Sequence, residues 1–215
     1  MNTLSGIFLA VTVVVAMIDW WAVAAERQRV ERAAKPLTMV ALGAALLALD
    51  LPSSTLRWWF FVGIAFSLVG DVFLMLPSQR WFPAGLGGFL VAQVCYGVGF
   101  LSTRTSTAWL LAGVVVMFTV MLAIGPTIVS YASREQQVLG VAVAMYMMAI
   151  SFMAVAAFST GSIVAVVGAL LFVASDATIG FTAFVQPVRH QRMIIMTTYH
   201  VAQVLIVLSL PGLHS

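Results

Sequence analysis

Residues 58–76 read WWFFVGIAFSLVGDVFLML, and this stretch decides the class of fold. Asp71 is the only charged residue in it. At about 1.5 Å per residue, a helix of this length is roughly 28 Å long, which matches the hydrocarbon core of a bilayer. The stretch therefore predicts a membrane-spanning helix that carries a carboxyl group inside the membrane.

The composition of the whole chain agrees with that prediction. Its 215 residues are 62% hydrophobic and only 8% charged, too few charges for the surface of a soluble protein. We therefore expect one integral membrane domain that spans residues 1–215. The ten Lys and Arg residues are thinly spread and form no basic patch for nucleic acid. The single cysteine, Cys95, lies in an apolar segment and predicts a packing role rather than a disulfide.

Hydrophobic runs and the polar breaks between them predict an all-α polytopic membrane protein with eight transmembrane helices. The first run is too long for a signal peptide and its basic residues follow it, so it is kept as the first helix. The predicted spans are about 3–25, 36–51, 58–76, 82–100, 107–124, 137–158, 162–184 and 193–210.

Basic residues are concentrated in the breaks after odd-numbered helices. Eight lie there and only two, Arg57 and Arg104, lie in the other breaks. The positive-inside rule then places both termini away from the cytoplasm, and we expect the inner (cell) membrane of a bacterium. The eight are Arg27, Arg29, Arg32, Lys35, Arg80, Arg134, Arg189 and Arg192. All six tryptophans fall near helix ends, which is typical of interfacial anchors.

A short repeat links the two halves of the chain. The tetrapeptide VAQV occurs at 91–94 and at 201–204, and each copy follows a helix with a small residue before an aspartate, Gly70-Asp71 and Ser175-Asp176. Four helices per half would give both halves the same orientation in the membrane. The pattern predicts two parallel four-helix repeats.

Polar residues inside predicted membrane helices form the candidate site, because such groups are costly in lipid and normally face the interior of a bundle. Helical rise places them in the same half of the membrane, so we expect a cavity open to the cytoplasmic side. The aspartates could instead form a structural hydrogen-bond node. The amides and phenols could instead hold neighbouring helices together by interhelical hydrogen bonds. The residues are Asp19, Asp71, Asp176, Gln93, Tyr96, Tyr199, His200 and Gln203.

Two carboxyl groups at a similar depth predict acid–base chemistry. They repel each other when both are ionised, so one is expected to keep its proton while the other is charged. Such a pair suits hydrolysis through an oxocarbenium-like state, with Asp71 and Asp176 as the catalytic residues. For Asp19, beside a tryptophan, a structural role is favoured, and His200 alone is more typical of a satisfied core histidine.

Other chemistries fit the sequence less well. There is no G-x-S-x-G or H-E-x-x-H pattern, so serine-hydrolase and zinc-protease functions are disfavoured. A metal held by Asp71, Asp176 and His200 is a weaker alternative, because zinc usually takes more nitrogen or sulfur ligands. We expect neither a metal nor a cofactor. A proton-coupled transporter of lipids or small molecules, and a protein without catalytic activity, stay open as alternatives.

Several segments together resemble the YhhN-like family of membrane proteins, which includes lysoplasmalogenase. The resemblance covers most of the chain from the second helix onward. It rests on KPLTM at 35–39, SLVGDVFLMLP at 67–77, GLGGFLVAQVCYGVGF at 85–100, SDATIGFTAF at 175–184 and TYHVAQVLIVLSL at 198–210.

The resemblance implies an eight-helix enzyme that cleaves the vinyl ether bond of a lysoplasmalogen, a lysophospholipid substrate drawn from membrane lipid. The products would be a fatty aldehyde and glycerophospho-ethanolamine or -choline. Its acidic positions correspond to Asp71 and Asp176, with the less solvated one expected to donate the proton. Gln93 stands where the family often has histidine, and because an amide cannot shuttle a proton, we expect no general-base role there. Lys35 is expected at the cytoplasmic mouth near the lipid phosphate, and the tail among side chains of the third, fourth, seventh and eighth helices.

Overall fold

The computed structural model describes residues 2–51 and 53–213, and within these ranges the chain forms eight α-helices and two short 3-10 turns, with no strand. The 3-10 turns are Gln79–Trp81 and Leu210–Gly212. The helices are α1 Thr3–Ala24, α2 Gln28–Ala48, α3 Ser54–Leu74, α4 Phe82–Leu101, α5 Thr107–Glu135, α6 Gln137–Ser159, α7 Ile163–Phe184 and α8 Gln191–Ser209.

Seven helices in the described part of the chain are long and apolar enough to cross a membrane, and the protein is an integral membrane protein. Large apolar side chains on their outer faces are exposed, as expected where lipid replaces water. The exception is α2, because its first two turns carry charged side chains. The all-α class is confirmed, whereas eight membrane spans stay a prediction.

Three predicted helix boundaries differ from the structure by four or more residues, namely the start of α3, at Ser54 rather than residue 58, and two boundaries that involve a proline. The structure starts α2 at Gln28, eight residues before Pro36, and runs α5 through Pro126 to Glu135, beyond the predicted end at residue 124. A proline inside a helix removes one backbone hydrogen bond and normally ends or bends it. In α5 the extension is stabilised by burial, since Ile128 and Ala132 pack with Val143 of α6.

Serine side chains cap the starts of several helices. Ser53, Ser106 and Ser162 each accept a hydrogen bond from a backbone N–H in the first turn of α3, α5 and α7. Such caps satisfy donors that the helix leaves unpaired, and each is worth about 1 kcal/mol. The predicted starts of α5 and α7 were correct to within one residue, whereas α3, which has the same kind of cap, starts four residues before its predicted start.

The core lies where α3 and α4 meet α6, α7 and α8. Phe60, Phe89, Phe100 and Phe172 are all buried there, with Tyr96 among them. Close approach of α3 and α4 depends on small residues: a Cβ on Gly88 would lie 2.9 Å from the backbone nitrogen of Gly70. This tight contact sets α3 and its carboxyl group directly against the aromatic core. Cys95 is buried in the same helix pair, where a packing role was predicted.

Candidate active site

Asp71 lies in the last turns of α3 and is almost completely buried. Its Oδ1 is 2.9 Å from the Lys35 ammonium of α2, and its Oδ2 accepts a hydrogen bond of 2.7 Å from the Tyr199 hydroxyl of α8. Lys35 itself is buried, with its ammonium 5.9 Å from the centre of the Tyr199 ring. The structure thus places Lys35 inside the bundle as the counter-ion of Asp71, and not at the mouth where it was expected.

A closed hydrogen-bond ring lies about one helical turn from Asp71. Tyr96 donates to Oε1 of Gln203 over 2.8 Å, and Nε2 of Gln203 donates to the Ser67 hydroxyl over 3.1 Å. The Ser67 and Tyr96 hydroxyls are 3.5 Å apart. These three residues belong to α3, α4 and α8 and are buried, so the ring ties three helices together. Ser67 was not singled out from the sequence, although it opens the SLVGDVFLMLP segment.

Asp176 on α7 has a different environment, because it is half-buried and lines a partly open cavity, whose empty space of about 650 Å³ includes the volume open to the outside. Among the described residues, its hydrogen-bond partner is the Tyr146 hydroxyl of α6, which donates to Oδ2. The Tyr146 oxygen in turn accepts a hydrogen bond of 3.4 Å from Nε2 of Gln93 on α4. Sequence reasoning missed Tyr146. Its only signal was a phenol inside the apolar run VAMYMMAI at 143–150, and a lone tyrosine there is more often a packing residue.

The cavity is lined almost entirely by apolar side chains, with the carboxyl of Asp176 and the phenol of Tyr146 as its polar groups. It extends to Phe82 at the start of α4 and Phe184 at the end of α7, roughly 12 Å along α7 from the carboxyl group. Its walls come from α3, α4, α5, α6 and α7. Of the described residues, none from α8 lines it, whereas the tail groove predicted from the sequence included α8 and did not include α5 or α6.

The two aspartates do not share a hydrogen bond in the structure. Phe89 lines the cavity, and its ring packs edge-on against the Tyr199 ring with 5.8 Å between centroids. Tyr199 donates a hydrogen bond to Asp71, and neither of these two residues lines the cavity. The sequence predicted a single polar layer, whereas the folded chain divides it between two centres, one around Asp71 and one around Asp176.

A third polar cluster joins α1 to α8. The Trp20 indole donates a hydrogen bond of 3.2 Å to Nδ1 of His200, and Oδ2 of Asp19 is 3.9 Å from the same nitrogen. Both Asp19 and His200 are buried. Both carboxyl oxygens of Asp19 lack a hydrogen-bond partner among the described residues. Trp20 is therefore more than the interfacial anchor that its position at a helix end suggested, since it supplies a donor inside the bundle.

No three His, Cys, Asp or Glu side chains come together in the described ranges in a way that could hold a metal ion. Asp71, Asp176 and His200 have separate sets of partners. The alternative of a metal bound by these three residues is therefore not supported by their arrangement.

The fold and the site define a helical membrane protein with buried carboxyl groups beside an apolar cavity. Residues 30–210 match the model of the YhhN family, and the chain belongs to that family.

Named relatives support this assignment. Lysoplasmalogenase TMEM86A of Bos taurus is 33% identical over 191 residues, covering 80% of this chain and 72% of the relative. The Homo sapiens protein of the same name is 34% identical over 183 residues, with the same two shares. Lysoplasmalogenase TMEM86B of Homo sapiens is 32% identical over 143 residues, covering 66% of this chain and 59% of that protein. No solved structure matches the chain significantly.

Proposed function

We propose that this protein is an intramembrane lysoplasmalogenase, a hydrolase of the vinyl ether bond in lysophospholipids. The observation that carries the proposal is the position of Asp176, a carboxyl group on the wall of a long apolar cavity. A single-chain lipid needs an apolar channel for its tail and an acid at the bond to be cleaved. The names of the relatives point to the same reaction.

The cavity suggests how the substrate lies. An alkenyl chain would run along the apolar wall, with its vinyl ether group beside Asp176 and its glycerophospho head group outside the apolar region. The wall includes Met121 and Ile150, which offer flexible and branched surface to a hydrocarbon chain. We assign the open side to the helix ends near Phe82 and Phe184, since Arg80 shortly precedes Phe82 in the sequence and Arg189 shortly follows Phe184.

Asp176 is proposed as the proton donor of the first step. Its proton goes to the alkene carbon that is not bonded to oxygen, and the other alkene carbon becomes an oxocarbenium ion. Water adds to that carbon and loses a proton to the carboxylate, giving a hemiacetal. The hemiacetal then collapses to a fatty aldehyde and glycerophospho-ethanolamine or -choline, so one water is consumed and no co-reactant is needed. This assignment is opposite to the expectation from the sequence, in which the less solvated of the two aspartates donates the proton.

Asp71 is proposed to stabilise the positive charge of the oxocarbenium ion and to orient the water, whose proton is taken up by Asp176. Its pairing with Lys35 favours a carboxylate, which accepts protons and cannot give one. Asp71 does not line the cavity, so it would act on the oxocarbenium ion through its charge, which is weakly screened in a low-dielectric interior. Lys35, as the counter-ion, holds Asp71 in place rather than binding the phosphate.

For the membrane topology we propose what the sequence predicts. We propose eight spans, both termini on the non-cytoplasmic side of a bacterial inner membrane, and two parallel four-helix repeats. Helices α3 and α7, which carry Asp71 and Asp176, each pack against the following helix of their half, and this packing supports the repeat. Labelling of single cysteines placed beside Asn2 and in the 185–190 loop with an impermeant thiol reagent in intact cells tests the orientation. Labelling of the loop, but not of the N-terminus, would contradict it.

The activity test uses purified protein with lysoplasmenylcholine and measures aldehyde release. Wild type and Asp50→Asn, a matched change at an exposed carboxyl, should release aldehyde, whereas Asp176→Asn should lose at least about a hundredfold in rate. A saturated ether analogue should not react, since it has no alkene to protonate. In heavy water the aldehyde should carry one deuterium next to the carbonyl. Absence of aldehyde with wild type, or full activity in Asp176→Asn, refutes the proposal.

A further inference from the structure

Tyr146 is the residue through which Asp176 is held. Its hydroxyl bonds to Oδ2 of the carboxyl, and its ring lines the same cavity. The two residues come from α6 and α7, so the contact exists only in the folded chain. Among the described residues, no other side chain donates a hydrogen bond to Asp176.

Gln93 gives this contact a direction. Its Nε2 donates to the Tyr146 oxygen over 3.4 Å, and a phenol has a single hydrogen to donate. Because an amide N–H2 cannot accept, the phenol hydrogen is left for Asp176. Gln93 is completely buried on α4, and the close contact of Gly97 with the Phe152 ring holds α4 against α6 at this level.

We infer that Tyr146, oriented by Gln93, is the positioning residue of the reaction. It fixes Oδ2 of Asp176, so that Oδ1 is the oxygen that exchanges a proton with the substrate. The terminal torsion of an aspartate is broad and roughly two-fold, and without the phenol the two oxygens would interchange freely. The catalytic part of this inference rests on the proposed hydrolase function, whereas the hydrogen-bond chain itself does not.

Tyr146→Phe tests the inference because it removes one oxygen and keeps the ring. Misplacement of a catalytic group costs up to about a hundredfold in rate, so we expect kcat to fall ten- to a hundredfold with KM within twofold of wild type. Tyr131→Phe is the matched control, since Tyr131 is exposed on α5 with its ring against the Arg134 guanidinium. Gln93→Met, which removes the amide donor, should give a smaller fall in kcat. An unchanged kcat in Tyr146→Phe, or a loss confined to KM, overturns the inference.

A second readout separates this inference from the hydrolase proposal. The infrared carboxyl band that disappears in Asp176→Asn identifies Asp176 in the wild-type protein, with or without activity. We expect that band to shift in Tyr146→Phe, which lacks the hydrogen bond to Asp176, and to stay in place in Tyr131→Phe. If wild type releases no aldehyde but the band shifts, the hydrolase proposal fails and the hydrogen-bond chain stands. A band that does not move in Tyr146→Phe overturns the chain.

Discussion

Replacing Lys35 with methionine removes the positive charge from a buried ion pair and keeps most of the side-chain volume. The exposed fractions of the Lys35 and Asp71 side chains are 8% and 1%, and the charged atoms are 2.9 Å apart. After the replacement, Asp71 keeps only the neutral hydrogen bond from Tyr199, of 2.7 Å. A carboxylate left in that position has no counter-ion and little access to solvent.

The size of the effect follows from that geometry. At an effective dielectric constant of 20, two unit charges at this separation attract by roughly 6 kcal/mol, and breaking a buried pair costs about 3–5 kcal/mol in measured cases. We expect Lys35→Met to lower the free energy of unfolding by about 3–5 kcal/mol. The double variant Lys35→Met/Asp71→Asn should recover about 2 kcal/mol or more of that loss, because it leaves no charge unpaired and keeps an acceptor for Tyr199.

Denaturant unfolding in mixed micelles, followed by the fluorescence of the six tryptophans, measures these free energies. Arg192→Met is the control, because its guanidinium pairs with Glu31 at the surface and such pairs contribute about 0–1 kcal/mol. The reasoning is refuted if Lys35→Met is no more destabilising than Arg192→Met. It is also refuted if the double variant is as unstable as the single Lys35→Met variant.

Further substitutions test the cavity, the helix contact and the third cluster. Gly180→Leu should lower kcat/KM for lysoplasmenylcholine at least about tenfold, because a Cβ there lies 3.3 Å from a side chain of α5 and a larger group fills the cavity. Gly88→Ala should lower the free energy of unfolding by about 1–3 kcal/mol, since its Cβ meets the α3 backbone. Gly87→Leu and Gly87→Ala are the respective controls, as nothing lies within 4 Å of that position. Trp20→Phe should cost about 0.5–1.5 kcal/mol through the lost donor to α8, and the exposed Trp21→Phe less than about 0.5. Equal effects in a variant and its control would contradict the corresponding prediction.

The positions of the helices were largely predictable, because a helix in a membrane is set by local composition and length. The largest errors came at Pro36 and Pro126, where a local breaking signal was overridden by the rest of the helix. At Pro126, burial of Ile128 and Ala132 against α6 outweighs one lost backbone hydrogen bond, and that burial cannot be deduced from the segment itself.

Most residues of the candidate site were predictable from the sequence, but the contacts between them were not. Asp71 and Asp176 stood out because a carboxyl group in an apolar run is costly and rare. Tyr146 did not stand out, since a tyrosine is unremarkable in a membrane helix and its role depends on an aspartate 30 residues away. Lys35 stood out in the sequence, but it was interpreted as a topology signal and as a group near the lipid phosphate, because its counter-ion is on another helix.

By itself, the sequence determined an all-helical membrane protein, its family and the two aspartates, since these follow from composition, periodicity and recognisable segments. The tertiary structure decided that Asp71 is buried with Lys35 while Asp176 lines the cavity with Tyr146. The physical reason is that side-chain environment depends on which faces of different helices meet. That packing gives two similar aspartates different neighbours, and different neighbours give them different chemistry.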